Sequence, residues 1–189
     1  MKNASDKIPI DEMDIVSLSE EHVPLFNSFC SFEKELVDFL KEDALDNQNK
    51  RISRTHLWFH KPSKKLVGYI TLLTDKISLH AKLKEEFREK GVNYKSLPAL
   101  KIGRVCIHDD FVRRGIGTHM VDWTIYLIQR INEFAGCRFI TLDAKRYADK
   151  SKDPIHFYMK KGFEVYKNRE KGTAPMYMDV YKFSKSESK

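Results

Sequence analysis

The chain has little cysteine, and what it has is scattered. Cys30, Cys106 and Cys137 are the three it contains. They are too few and too far apart for a disulfide framework, and none has the paired spacing of a zinc knuckle. Such usage fits a reducing compartment, so the expected location is cytoplasmic. The N-terminus, MKNASDKIPIDEM, lacks the apolar core of a secretory signal. No apolar run approaches the roughly 18 residues that a membrane-spanning helix needs. No internal repeat is present. Two nucleotide-binding motifs are missing as well. A Walker loop needs Gly-Lys-Ser/Thr, which occurs nowhere, and Met120 stands where a dinucleotide fingerprint has its third glycine. His56 and His60 would suggest a metal pair only on a helix, and Pro62 and the local strand pattern read against one. No metal is expected.

What is present points to one domain, residues 1–189, since about 150 residues per domain is the ordinary expectation. Residues 1–12 and 184–189 read as flexible ends, and 76–98 as a helical insert that interrupts the sheet. Lys plus Arg number 34 and Asp plus Glu 27, a formal net charge of +7. That suits an anionic partner or a generic basic surface, because net charge does not say where the charges sit.

The stretch from Leu100 to Ile128 organises the chain. Ile102 to Ile107 has the β-branched bias of a buried strand. A polar turn follows at His108, Asp109 and Asp110. Arg113-Arg114-Gly115-Ile116-Gly117-Thr118 then leads into an amphipathic helix whose Ile116, Met120, Trp123, Leu127 and Ile131 form an apolar stripe. The first N–H groups of a helix have no intrahelical partner, and the helix dipole adds partial positive charge there. Gly115 and Gly117 let a ligand's oxygens approach the main chain, and Arg113 and Arg114 add full charges. This is an anion cradle of the kind that takes a pyrophosphate, or a tight turn with no ligand.

Other elements follow from local pattern. Asp14 to Leu18 reads as a strand, and Ser19 as the cap of a short helix. Phe32 to about Asn47 reads as a helix with Leu36, Phe39, Leu40 and Ala44 inward. Thr55–Phe59 and Leu66–Leu72 read as a hairpin. Leu79, Leu83 and Phe87 suggest a helix that Gly91 ends. Arg138 to Ala144 is a strand and Asp153 to Lys160 a short helix. Phe163 to Tyr166 and Met176 to Phe183 form a closing pair. The fold class is α/β with a mixed sheet.

Val112-Arg113-Arg114-Gly115-Ile116-Gly117 resembles motif A of the GNAT N-acetyltransferases, Gln/Arg-x-x-Gly-x-Gly/Ala after a strand, with Val112 in place of the first residue. Ile155-His156-Phe157-Tyr158-Met159-Lys160-Lys161-Gly162-Phe163 is similar to that family's second signature. There Pro154 replaces its Ala and Ser151 an upstream Asn. The resemblance spans Asp14 to Phe183. It implies a mostly antiparallel GNAT-type sheet flanked by helices, with acetyl-CoA as cosubstrate. The pyrophosphate would lie on Arg113 to Thr118, and the pantetheine arm along Val105, Cys106 and Ile107. Tyr158 would be the general acid beside the sulfur.

The histone-acetylating branch of that family carries a Glu base six residues before the position of Ile107, and here that residue is Lys101. A lysine amine, with a reference pKa of about 10.4, needs such a base; an α-amine, at about 7.7 to 8.0, needs little help. Phe29 to Ala44, Asn47-Gln48, Ser53-Arg54-Thr55, Gly68-Tyr69 and Gly103-Arg104 also resemble the toxin-type members, which acetylate the α-amine of aminoacyl-tRNA. A small amine or a peptide N-terminus is the alternative acceptor, and a CoA-binding interaction module without catalysis the third. The expected partners are the amine acceptor, tRNA and a second copy in a homodimer, with no membrane. His108 is a candidate base or a solvated turn residue. Cys106 reads as an inert packed thiol.

Overall fold

Alternating apolar residues draw much of the chain into strands. The computed structural model describes residues 6–147, 149, 153–167 and 172–182. Its seven strands are β1 Met13–Ser17, β2 Arg54–His60, β3 Lys65–Ser78, β4 Ser96–Ile107, β5 Phe139–Lys145, β6 Glu164–Val165 and β7 Thr173–Asp179. They form one sheet in the order β1-β2-β3-β4-β5-β7-β6. Pairs β1–β2, β2–β3, β5–β7 and β6–β7 are antiparallel. Helices α1 Lys34–Asp38, α2 Ala44–Asn49, α3 Ala81–Glu89, α4 Ile116–Ile131 and α5 Ile155–Lys160 complete the set. This is the mixed, mostly antiparallel α/β architecture that the sequence predicts.

The chain divides into two compact units. The first comprises Met1–Leu73 with Ile102–Trp123, and the second Thr74–Lys101 with Thr124–Lys189. The core of the first unit gathers Leu18, Phe26, Phe29, Leu40, Leu57 and Tyr69. The expected helix from Phe32 to Asn47 is present but not uniform. A π-helical turn, Phe39–Asp43, separates α1 from α2. Val37, Leu40 and Ala44 are buried, whereas Leu36 and Phe39 are only partly so. The Tyr69 hydroxyl donates to the Leu36 carbonyl at 2.6 Å, beside this turn.

The N-terminal stretch is more ordered than its polarity suggests. Ile8 is 2% exposed, and a 3₁₀ turn spans Ile10–Glu12. Burial of the Ile8 side chain overrides the flexible end expected from composition. The rest of the expected flexible ends, residues 1–5 and 184–189, lies outside the described residues, as does Phe183.

His56 on β2 lies edge-on to Trp123, with ring centroids 4.7 Å apart. Burial, and to a lesser extent the charge of Arg54, lowers its pKa to about 4. The unfolded chain binds that proton near the reference value of about 6.5, so stability should fall as the pH drops from 6.5 towards 4. The slope contributed by this one site is at most about 1.4 kcal/mol per pH unit. Urea midpoints at pH 7 and pH 4.5 should differ more for the wild type than for His56→Gln. Equal differences would rule out His56 as the source.

In the second unit α3 lays Leu83 and Phe87 on a sheet face of Ile77, Ala99, Phe139 and Tyr177. Gly91, at φ +75, follows the helix as expected. The insert is shorter than residues 76–98, because β3 runs on to Ser78 and β4 begins at Ser96. Arg138 forks onto Asp179, its Nη2 2.9 Å from Oδ2, and stacks 4.5 Å above the Phe87 ring. β7 stops at Asp179, and Val180 begins a helical turn in place of the strand expected to continue. Along α4 the buried positions are Ile116, Met120, Val121, Thr124, Ile125 and Ile128. The expected stripe through Trp123, Leu127 and Ile131 is half-buried, so the inner face is rotated round the helix.

Candidate active site

Val105, Cys106 and Ile107 are the last three residues of β4. The Cys106 side chain points inward and is 3% exposed. Burial pushes its thiol up to about 11, which makes it a packed neutral group, not a nucleophile. Across on β3, Gly68 allows a close approach. A Cβ there would lie 2.7 Å from the Cys106 carbonyl oxygen and 2.9 Å from Met120 Cε.

The strand ends in a turn built by side chains. His108 Nδ1 accepts the Asp110 N–H at 3.1 Å, and the Asp109 carboxylate accepts the Phe32 N–H at 3.0 Å. Nδ1 is thus committed as an acceptor, and His108 orders the turn instead of serving as a free base. A 3₁₀ turn, Asp109–Phe111, carries the chain to Arg113, which has φ +61, and Gly115, which has φ +87. A non-glycine residue in that region costs about 1–2 kcal/mol, and such strain collects at functional turns.

α4 begins directly after this turn. Its first helical bond runs from the His119 N–H to the Gly115 carbonyl, at 3.1 Å. The N–H groups of Ile116, Gly117 and Thr118 therefore have no helical acceptor, and the dipole adds to them. The structure thus brings Arg113, Arg114, Gly115, Ile116, Gly117 and Thr118 into one left-handed turn and helix start. The N-terminal segment ties onto it. Ile8 N–H donates to the Arg114 carbonyl at 3.0 Å, and His119 Nε2 lies 2.8 Å from the Ile8 carbonyl. A Cβ added at Gly115 would meet the Lys7 side chain at 3.8 Å.

Tyr158 belongs to the second unit, on α5. Asp153 Oδ1 accepts the Ile155 N–H at 2.9 Å and starts that helix; Gly162, at φ +89, follows its end. Ser151, part of the expected signature, lies outside the described residues. The Tyr158 ring packs edge-on to Phe157 and Phe163, at 5.1 and 5.4 Å. Burial raises its phenol to about 12. Among the described residues its hydroxyl has no hydrogen-bond partner, so an isolated protonated donor stands there.

Lys101 places its Nζ 2.7 Å from Asp143 Oδ2. Asp143, and Asp75 with Thr141 beside it, had no local signal in the sequence, because only sheet pairing brings them together. Arg104 stacks 5.0 Å over Phe39. His60 binds Glu12 at 3.1 Å and Ser63 at 2.8 Å. Among the described residues no group of three His, Cys, Asp or Glu is placed to hold a metal ion, and no helix is long and apolar enough to cross a membrane.

A strand that feeds a left-handed turn and a bare helix start is an arrangement suited to holding an anion. Residues 53–165 match the family described as an acetyltransferase (GNAT) domain, and the chain belongs to that family. It is an N-acetyltransferase that uses acetyl-CoA as cosubstrate. Solved structures agree in fold. A Tyr-to-Phe mutant of KacT is 18% identical with a TM-score of 0.75, covering 93% of this chain and 99% of its own. AtaT complexed with acetyl-methionyl-tRNA is 17% identical with a TM-score of 0.74, covering 92% and 98%. A mutant AtaT toxin bound to acetyl-CoA and the C-terminus of the antitoxin AtaR is 17% identical with a TM-score of 0.72, covering 95% and 100%.

Proposed function

We propose that this enzyme acetylates the α-amine of an aminoacyl-tRNA. The observation that carries the proposal is the state of residue 101. A lysine stands where a base for lysine side chains would be, and its ammonium is tied to Asp143 at 2.7 Å. An α-amine is already partly neutral at pH 7 and can pass its proton to water. The fold shared with AtaT, solved with acetyl-methionyl-tRNA, and the net charge of +7 support an RNA-borne acceptor. So does the fold shared with toxins for a role in arresting growth, with an antitoxin as partner.

In this reading the pyrophosphate rests on the N–H groups of Gly115 to Thr118 and on Arg113 and Arg114. The backbone of Val105 to Ile107 aligns the pantetheine arm. The amine lone pair attacks the thioester carbon, the C–S bond breaks, and the leaving sulfur meets the Tyr158 hydroxyl. A cytoplasmic location and a homodimer belong to the same proposal.

Purified protein with labelled acetyl-CoA should label charged tRNA and leave histone tails unlabelled. Labelling should weaken steeply with salt, since each neutralised phosphate adds roughly 0.7 to 0.9 to the log–log slope. A small-amine enzyme would label amines instead, with a shallow slope. Expression in growing cells should arrest growth. Harmless expression together with unlabelled charged tRNA would remove the tRNA reading.

A further inference from the structure

α3 covers only part of one sheet face. Ile77 on β3, Ala99 on β4, Phe139 on β5 and Tyr177 on β7 pack under its Leu83 and Phe87. Residues two apart on a strand share a face. Asp75, Lys101 and Thr141 each stand two residues from a member of that covered row, so the same face continues as a polar, open one. Together with Asp143, Tyr166 and Tyr177 they line a cleft of about 190 Å³.

The charges in this cleft are not equivalent. Lys101 and Asp143 neutralise each other at 2.7 Å. Asp75 is held instead by a neutral donor, the Thr141 hydroxyl, at 2.7 Å from Oδ2. Among the described residues it has no cationic partner. Lys76 borders the cleft, but strand alternation carries its side chain to the opposite face. The two phenols are already engaged. Tyr166 donates to the Ser78 carbonyl at 2.8 Å, and Tyr177 to Glu164 Oε2 at 3.0 Å. Tyr177 is 3% exposed, so the aromatic surface left to a ligand is that of the half-buried Tyr166 ring. A fixed carboxylate beside aromatic carbon suits a primary ammonium group.

We infer that this cleft receives the ammonium group of the acceptor, with Asp75 as a specificity-determining residue. The inference rests on the α-amine reading above and names the group that recognises that amine. Asp75 selects the cation and does not activate it, because the amine must shed its proton before it attacks. The cleft is joined to the helix that bears Tyr158. Phe163 N–H bonds the Tyr158 carbonyl at 3.0 Å, and Tyr166 N–H bonds the Pro175 carbonyl at 2.8 Å, so one short segment links α5 to β7.

The test is an NMR titration with methioninamide, and with its N-acetyl derivative as the uncharged control. Resonances of Thr141 and Tyr177 should saturate with the amide and not with the acetylated compound. Asp75→Asn should weaken amide binding about tenfold or more, the loss expected for a charge-assisted contact. Thr141→Val should weaken it less, and Asp75→Glu should retain it. Calorimetric acetyl-CoA binding should be unchanged in all three variants. Equal binding of free and acetylated amide, or wild-type affinity in Asp75→Asn, overturns the inference. The titration needs no turnover. Failed tRNA labelling with selective amide binding intact would therefore reject the tRNA acceptor and leave the cleft assignment standing.

Discussion

Tyr158→Phe should turn over about 10²-fold more slowly than the wild type, with acetyl-CoA affinity nearly unchanged. The substitution removes one oxygen and nothing else. The ring keeps its contacts with Phe157 and Phe163, at 5.1 and 5.4 Å, so the fold is not disturbed. The lost hydroxyl has no partner among the described residues, and its absence breaks no internal bond. What disappears, in the mechanism proposed above, is the donor for the leaving sulfur. Burial has raised that phenol to about 12, so it stays protonated through neutral and mildly alkaline pH. The wild-type rate should therefore climb as the acceptor amine loses its proton, near pH 8. No falling limb from Tyr158 should follow until the pH nears 12. Single-turnover rates from pH 6 to 10 for both proteins would decide. Wild-type turnover in the phenylalanine variant would make Tyr158 a packing residue only.

Gly115→Val should abolish measurable acetyl-CoA binding while the protein still folds. The reason lies in the backbone. Gly115 sits at φ +87, where a side chain is strained and a β-branched one most of all. The space around it is ordinary, with the nearest atoms of Lys7 3.8 Å from an added Cβ. A valine will therefore drive φ negative and not simply crowd a neighbour. That re-aims the N–H groups of Gly115 and Ile116 away from the bound anion. The cost to folding should be about 1–2 kcal/mol, within what most domains tolerate. Calorimetry with CoA and a urea melt separate the two effects. Retained binding at near wild-type affinity would show that the pyrophosphate rests elsewhere.

The strand, turn and helix that make the cradle were legible because their signals are local. An apolar run, two glycines and a helical stripe all fall within thirty residues. The left-handed geometry at Arg113 was not legible, since arginine carries no preference for positive φ. The outer ends of β3 and β4 escaped notice for a different reason. Thr74, Asp75 and Lys76 are exposed and break the apolar alternation that marks a strand. Asp75, in the middle of that stretch, is the residue whose carboxylate lines the proposed acceptor cleft. The pair of Lys101 with Asp143 spans 42 residues and depends on sheet order, which no local pattern encodes. The π-helical turn at Phe39–Asp43 was not legible either, since its residues carry no local signal for it.

The bonds between Ile8 and the turn also bear on the order of events as the chain folds. His119 and Ile8 are 111 residues apart in sequence. The strap over the cradle is synthesised well before its partners Arg114 and His119. Closing a loop of that length costs about 4 kcal/mol of chain entropy. Long-range closures of this kind form late. The strap should therefore dock after the hairpin of β2 and β3, whose contacts are local. A purification tag placed before Ile8 therefore sits beside contacts that close a long loop over the cradle.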